Sequence, residues 1–367
     1  MQGVISVNDD IRRHYERYTY PHYPLLAAVR PCDTYALNLD SLHARFNGVL
    51  PGPHVRRILL AGCGSFSPYP TSLANPGVPV TALDLSRSNL RRARLHAYLH
   101  GRFGIDWQRG DLLDPAAVPG EYGFIDCFGV LHHLEDPLAG LRALERRLAP
   151  GGIVRVMVYS RGARRGAESI RKALRLLGVK DMPTVKRLIR RARQDSRFGG
   201  YVREAPELSF DSGIADAFLH PRARTYRIDE FMALVGETSL RPLLFAHRGA
   251  LPGVAAEVER LRRIEADRED EPNFILYLGR ETTGGCGLAA DASVMLNPAL
   301  RSCVGALRLA PVHIPPRLGY PNPRLGLSGK RFLRRFVRPV PVRELSAEER
   351  ERARPFLDML FLVAFRG

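Results

Sequence analysis

Ile58-Leu59-Leu60-Ala61-Gly62-Cys63-Gly64-Ser65 is the stretch on which the fold turns. Four apolar residues in a row, ended abruptly by glycines, read as a strand buried on both faces and feeding a tight turn. Glycine is the residue for such a turn, because a Cβ would bar the backbone from left-handed φ and from close approach to a ligand. Alone, G-x-G is a weak signal. Its surroundings strengthen it.

Downstream, Val78–Leu83 reads as a second strand, and Ser86 is placed to cap a basic helix running to about Tyr98. A weaker strand precedes Asp111. Phe124–Phe128 is a fourth strand, followed by a helix over about Pro137–Leu148 that Pro150-Gly151-Gly152 should stop. Ile153–Tyr159 is β-branched and strand-like. Strands alternating with helices predict parallel βαβ units, hence a Rossmann-like, doubly wound α/β sheet. Leu240–Ala246 and Phe274–Leu278 are expected to complete it as an antiparallel edge.

The polar residues of these turns converge. Asp84 ends the second strand 22 positions after Gly62, near the offset at which an acidic side chain reaches a ribose diol. Gly110-Asp111-Leu112 follows the third strand. Asp126 lies in the fourth, and Val130-Leu131-His132-His133-Leu134 stands beyond its carboxyl end. Ligands of open α/β sheets sit outside the carboxyl ends of the strands, so one crevice would collect all of these.

The ordered set AGCGS, ALDLS, GDLLD, FIDCFGVLHHLEDP and LAPGG resembles the class I S-adenosylmethionine-dependent methyltransferases of the broad type 11/12 kind, over about residues 55–160. The resemblance implies S-adenosylmethionine as cofactor. It implies that Gly62, Cys63 and Gly64 line its methionine and ribose part, and that Asp84, with Leu85 beside it, accepts from the ribose hydroxyls. Asp111 and Leu112 would face the adenine, while Gly129 and Val130 would floor the site. Members usually carry an acidic residue where this chain has Leu60, and often a third glycine where it has Phe66. The contact near the methionine end is therefore expected to differ, with Phe66 either covering the cofactor or packing under the first helix.

Around this core, residues 1–50 read as an N-terminal helical cap and arm: a helix over about 9–18, then Tyr15, Tyr18, Tyr20, His22 and Tyr23 broken by Pro21 and Pro24, then a helix over about 38–48. Tyr15, Tyr20 and Tyr23 are lid candidates; packing on the domain surface is the alternative. Residues 51–280 form the methyltransferase domain, with a basic helical insertion at 161–235. Residues 285–367, Pro-rich between 311 and 342 and ending in a helix near 345–362, form a small C-terminal module. The patch of tyrosines and Asp216-Ala217-Phe218-Leu219-His220-Pro221 resemble a bacterial subgroup of the same family.

Methyl transfer from a sulfonium asks chiefly for positioning and exclusion of water; a base is needed only where the acceptor must shed a proton. His133 and then His132 are the candidates from the strand end, and His220 is an independent one. The acceptor expected first is a small molecule methylated on oxygen or nitrogen.

Charge raises the alternatives. The chain of 367 residues has a net charge of +17, and 51 of its 55 basic residues are arginine. Residues 1–160 carry only +3, whereas 161–203 carry 14 basic and 3 acidic side chains. That stretch keeps an RNA methyltransferase in view, with its arginines on phosphates, although aromatics interleaved for base stacking are few. A non-catalytic S-adenosylmethionine-binding regulator is a further alternative, and an anionic membrane surface is a weaker one. No apolar run reaches the ~18 residues of a membrane span, and Met1–Asp10 lacks a leader pattern. Five cysteines without a C-x-x-C pair argue against a disulfide framework or a zinc site. A reducing cytoplasm is the expected setting.

Overall fold

The computed structural model describes residues 7–305 and 310–367; Met1–Ser6, the start of the stretch read for a leader, lie outside it. Seven strands form the central sheet: β1 (Ile58–Ala61), β2 (Val80–Asp84), β3 (Ile105–Arg109), β4 (Tyr122–Phe128), β5 (Leu148–Val158), β6 (Arg241–Phe245) and β7 (Phe274–Gly279). Their order is β3-β2-β1-β4-β5-β7-β6. β1 to β5 are parallel; β7 runs antiparallel between β5 and β6 and supplies the expected antiparallel edge. The chain leaves β1 in one direction and β4 in the other, which opens a crevice at their carboxyl ends. β1 is buried at every position, as its unbroken apolar run requires.

Helices cover the sheet: α1 (Val7–Arg17), α2 (Leu39–Asn47), α3 (Pro68–Ala74), α4 (Arg87–Leu99) and α5 (Pro137–Arg147), then α6 (Arg165–Leu176), α7 (Met182–Arg190), α8 (Arg197–Glu204) and α9 (Asp211–Ile214). The last runs into a π-turn, Ala215–Leu219, and α10 (Ile228–Gly236) and α11 (Val254–Asp267) follow. Ser86 caps α4, its side chain accepting from the Asn89 N–H. The basic insertion has a hydrophobic cluster of its own, including Leu174, Val185, Leu208, Ile214 and Phe218. It packs over the crevice.

Two boundaries differ from the sequence reading. Pro150-Gly151-Gly152 does not stop the helix: α5 ends at Arg147, and Leu148 already pairs with Tyr122 in the sheet. The Pro-Gly-Gly lies inside β5 at an irregularity in its register, where Gly151 takes φ 71° and its N–H donates to the Arg280 carbonyl at 2.8 Å. The last helix is also shorter than expected, Ala347–Asp358. After it the apolar Leu362–Phe365 forms a strand of a small antiparallel sheet with Ser293–Leu296 and Val340–Pro341, because its ladder bonds and four buried side chains outweigh one more helical turn.

The C-terminal segment shares one hydrophobic cluster with the sheet, from Leu60, Val80 and Phe124 through Tyr35 and Leu39 to Leu296, Phe336 and Phe361. Asn297 fastens it further, its amide donating to the Tyr35 carbonyl at 3.1 Å. Truncating a fully buried ring such as Phe361 to Ala would cost roughly 3–5 kcal/mol. Among the described residues, no helix is long and apolar enough to cross a membrane.

Candidate functional site

A cavity of about 570 Å³ opens at the carboxyl ends of β1, β2 and β4. Gly62, Cys63, Gly64, Asp84, Leu85, Asp111, Leu112, Gly129 and Val130 all line it. The turn is built as its glycines suggested. Gly62 and Gly64 take φ of 75° and 58°, and a Cβ on Gly62 would stand 2.4 Å from Val130 Cγ2. The Gly62 and Cys63 N–H groups both donate to the Leu83 carbonyl at 2.9 Å, which ties the turn to the end of β2.

Asp84 sits beneath that turn. It accepts from the Gly64 N–H at 2.8 Å and the Ser86 N–H at 2.9 Å, with Asn89 Nδ2 at 3.3 Å. Burial raises its pKa, and the backbone and Asn89 donors counter part of that rise. Asp111 accepts from the Leu113 N–H at 2.9 Å, which turns the chain after β3. Asp126 is engaged elsewhere: Arg155 of β5 binds it through two bonds of 2.7 and 2.9 Å, and this buried pair is a polar wall that the sequence reading did not find.

The departures at Leu60 and Phe66 have different origins. Leu60 is core, 1% exposed. Phe66 lines the cavity and stacks on Tyr23, ring centroids 4.2 Å apart. Tyr15, Tyr20 and Tyr23 line it too, carried there by an arm clamped at several points. Glu16 caps the amino end of α4, accepting from the Arg87 and Ser88 N–H groups at 2.7 and 3.1 Å. The Ser65 N–H donates to the Tyr20 carbonyl at 3.0 Å, and a Cβ on Gly64 would lie 2.8 Å from that same oxygen. Gly64 thus lets the arm close on the turn.

The three histidines separate. His132 is fully buried beneath the Tyr159 ring, centroids 3.7 Å apart, and stands outside the cavity lining. His133 lines the cavity. His220 stacks on His133 at 3.9 Å and is likewise outside the lining. His133 Nδ1 lies 2.7 Å from the Arg222 carbonyl, which can only accept, so Nδ1 carries the proton and Nε2 keeps a lone pair. His220 is the opposite tautomer, because its Nδ1 accepts from the Arg222 N–H at 3.1 Å. Burial lowers the His133 pKa, against the opposing pull of Asp216 and the Arg222 carbonyl, so the ring is neutral at pH 7.

Beside His133 stand three residues to which the sequence reading gave no role: Tyr159, Arg164 and Asp216, all lining the cavity. The Tyr159 hydroxyl donates to Asp216 Oδ2 at 3.0 Å, and the Arg164 guanidinium lies 3.6 Å over the Tyr159 ring. The four-residue spacing of Asp216 and His220 in a helical segment was the available signal. His133, Asp216 and His220 offer atoms within 4.8 Å of one another, close enough for a metal. His220 has spent its lone pair on the Arg222 N–H, however, which leaves two ligand atoms rather than three. The arginines of the insertion divide as well. Arg164 and Arg171 turn inward, while Arg187, Arg190, Arg191 and Arg193 are exposed on and just after α7.

A sequence model of the family described as "Methyltransferase domain" matches residues 59–156. Over residues 59–156 the chain carries a class I S-adenosylmethionine-dependent methyltransferase domain. An uncharacterized protein from Synechococcus sp. is 32% identical over 263 residues, 66% of this chain and 61% of the relative. A ubiquinone biosynthesis O-methyltransferase from Thiobacillus denitrificans is 34% identical over 126 residues, 32% of this chain and 53% of that one. The chain thus spans about half to three fifths of the length of these curated relatives. Among solved structures, PKMT2 from Rickettsia typhi in complex with AdoHcy shares the fold at a TM-score of 0.55, with 13% identity over 94% of this chain and 77% of that one.

The cavity fits the family's cofactor by its own geometry. The Gly62 and Gly64 backbone lines the cavity in a turn with no room for a Cβ against Val130 or the Tyr20 carbonyl, and the carboxylate expected at the ribose lines it too. The matched family domain spans residues 59–156, so Tyr15, Tyr20, Tyr159, Arg164 and Asp216 lie outside it.

Proposed function

We propose that this chain transfers the methyl group of S-adenosylmethionine to an oxygen or nitrogen atom of a small-molecule acceptor. The observation that carries the reading is the junction of two half-sites in one cavity: the nine expected cofactor positions on one side, and the bare Nε2 of His133 on the other. When bound, S-adenosylmethionine supplies an electrophilic methyl group on a sulfonium. The chain's own residues would do the rest. Gly62, Gly64 and Asp84 hold the ribose and methionine part, and Asp111 and Leu112 take the adenine. Tyr20, Tyr23 and Phe66 close over the site and exclude water, and His133 accepts a proton from the acceptor. His132 and His220 serve by fixing the His133 ring between them.

Calorimetry tests the cofactor half. The wild-type chain should bind S-adenosylmethionine, and Asp84→Ala should lose at least tenfold in affinity; unchanged affinity would sink the assignment. Turnover with a labelled methyl group separates an enzyme from a regulator that merely binds the cofactor.

A second reading has its own observation. Arg17, Arg187 and Arg190, with Lys186 paired to Asp211 at 2.6 Å, surround a shallow exposed groove between α1 and α7, and the three arginines could meet phosphates. An RNA acceptor would show binding with a steep salt dependence that disappears when Arg187, Arg190 and Arg191 are neutralised. The small-molecule reading predicts no RNA binding at low salt and unchanged cofactor affinity in that variant.

A further inference from the structure

Cys32 and Cys303, near opposite ends of the chain, meet in the fold. Cys32 lies in the 3₁₀ helix Pro31–Leu37 and Cys303 in the short helix Arg301–Gly305. The two helices pack together, and both side chains belong to the hydrophobic cluster that the sheet shares with the C-terminal segment. The thiols are in hydrogen-bonding contact, with the Cys32 S–H donating to the Cys303 sulfur. The same 3₁₀ helix forms one wall of the cavity, through Asp33, Thr34, Ala36 and Leu37.

The partners differ in access and in acidity. Cys32 is 0% exposed, whereas Cys303 is partly exposed. The bond from Cys32 brings the Cys303 thiol down to about 7; burial opposes this and Arg30 assists it. Arg30 is fixed beside the pair by Asp33, at 2.7 and 2.9 Å, and by the His313 carbonyl at 2.8 Å. Burial pushes the Cys63, Cys127 and Cys286 thiols up instead. Cys303 is therefore the cysteine that is both accessible and substantially thiolate at neutral pH, which is what a nucleophilic sulfur requires.

We infer that Cys303 and Cys32 form a reversible thiol–disulfide site, oxidised by a low-molecular-weight disulfide, that staples one wall of the cavity to the C-terminal segment. Attack begins at Cys303, because Cys32 is sealed from solvent. The Cys303 thiolate bonds to one sulfur of the small disulfide, the S–S bond breaks, and the other half leaves as a thiolate that takes up a proton from water. The adjoining Cys303 thiolate is the main reason that Cys32 keeps its proton. Capping it removes that charge and frees Cys32 to ionise. The Cys32 sulfur then bonds to the Cys303 sulfur and expels the second thiolate, which takes up the proton that Cys32 released. Two protein thiols are oxidised while one small disulfide is reduced to two thiols, and excess thiol runs the exchange backwards. An S–S bond of about 2.05 Å is shorter than the thiol contact it replaces, so oxidation draws the 3₁₀ helix towards the C-terminal segment.

The full-length chain, incubated with glutathione disulfide and digested without reductant, tests this by mass spectrometry. Wild type should yield a peptide cross-linked between Cys32 and Cys303 that dithiothreitol separates. Cys32→Ser should stop at a glutathione adduct on Cys303, and Cys303→Ser should form neither product; Cys32→Ala serves where serine at the buried position unfolds the chain. Hydrogen exchange over residues 31–37 should slow at least tenfold in the oxidised wild type and stay unchanged in Cys303→Ser. An adduct that persists on Cys303 in the wild type, first reaction at Cys286, or no reaction at all overturns the pairing. Exchange that oxidation leaves unchanged overturns the staple. None of these outcomes touches the methyltransferase reading, which cofactor binding by the reduced chain tests separately.

Discussion

The imidazole of His133 donates from Nδ1 to the backbone carbonyl of Arg222, 89 positions further along the chain, at 2.7 Å. The same stretch bonds again one residue earlier in the His-His pair, where the Arg224 N–H donates to the His132 carbonyl at 2.8 Å. The segment after the π-turn therefore sets both the orientation and the tautomer of the one histidine that lines the cavity.

The base role proposed for His133 has a defined pH signature. Burial lowers the His133 pKa below its ordinary 6.5, so the acid limb of turnover should have its midpoint below that pH. His133→Ala should lower kcat by roughly 10²–10⁴-fold while cofactor affinity changes little. Its pH–rate profile should lose the acid limb. A full kcat in this variant removes the base role.

Closure of the arm depends on Gly64. Alanine there would have to hold φ near 58° and place its Cβ 2.8 Å from the Tyr20 carbonyl. The strained backbone costs about 1–2 kcal/mol, and the arm must lift. Gly64→Ala should weaken S-adenosylhomocysteine binding at least tenfold and speed proteolysis within residues 18–30. An unchanged digestion pattern would show that the arm is held without it.

Arg155 and Asp126 form a buried pair on adjacent strands, with the guanidinium also 4.8 Å from the centroid of the Phe128 ring. Arg155→Met would leave a buried carboxylate unpaired, so a loss of about 3–5 kcal/mol is expected in denaturant unfolding. Combining it with Asp126→Leu should recover much of that loss, because both charges are then gone. If the double variant is no more stable than the single one, the pair is not the source of the cost.

Acid sensitivity should centre on Glu257. Burial alone would raise its pKa, but Arg260, His247 and the Leu251 N–H overcome this and hold it at about 2. A carboxylate with a depressed folded pKa stabilises the fold above its unfolded value of about 4.3, and that contribution is lost as pH falls from there towards 2. Glu257→Gln should lower Tm at pH 7 and flatten the dependence of Tm on pH between about 5 and 2. A parallel downward shift at every pH would assign the effect to packing instead.

The residues expected at the cofactor reach one cavity, and they were legible in the sequence because the signals that mark them are local. Gly62, Gly64 and Asp84 act through φ, through a missing Cβ, and through their place at the ends of two strands that parallel pairing sets side by side. Each element was also visible as an apolar run with punctuation. Boundaries failed where pairing across the sheet outweighed local signals: Leu148 bonds to a strand 26 positions earlier, so Pro150-Gly151-Gly152 ends no helix. His132 stood second to His133, and His220 apart from both, for a related reason. Sequence shows that a histidine stands at a strand end, but not which face of the turn it takes.

What the sequence by itself determined is the sheet, its crevice and the glycine turn at the crevice's edge, since these follow from short-range backbone constraints repeated along the chain. What only the tertiary structure decided is the acceptor wall. Tyr15, His133, Tyr159, Arg164 and Asp216 come from an arm, two strand ends and an insertion, spread over about 200 residues. Their protonation states follow from partners such as the Arg222 carbonyl, which packing brings close and no spacing announces.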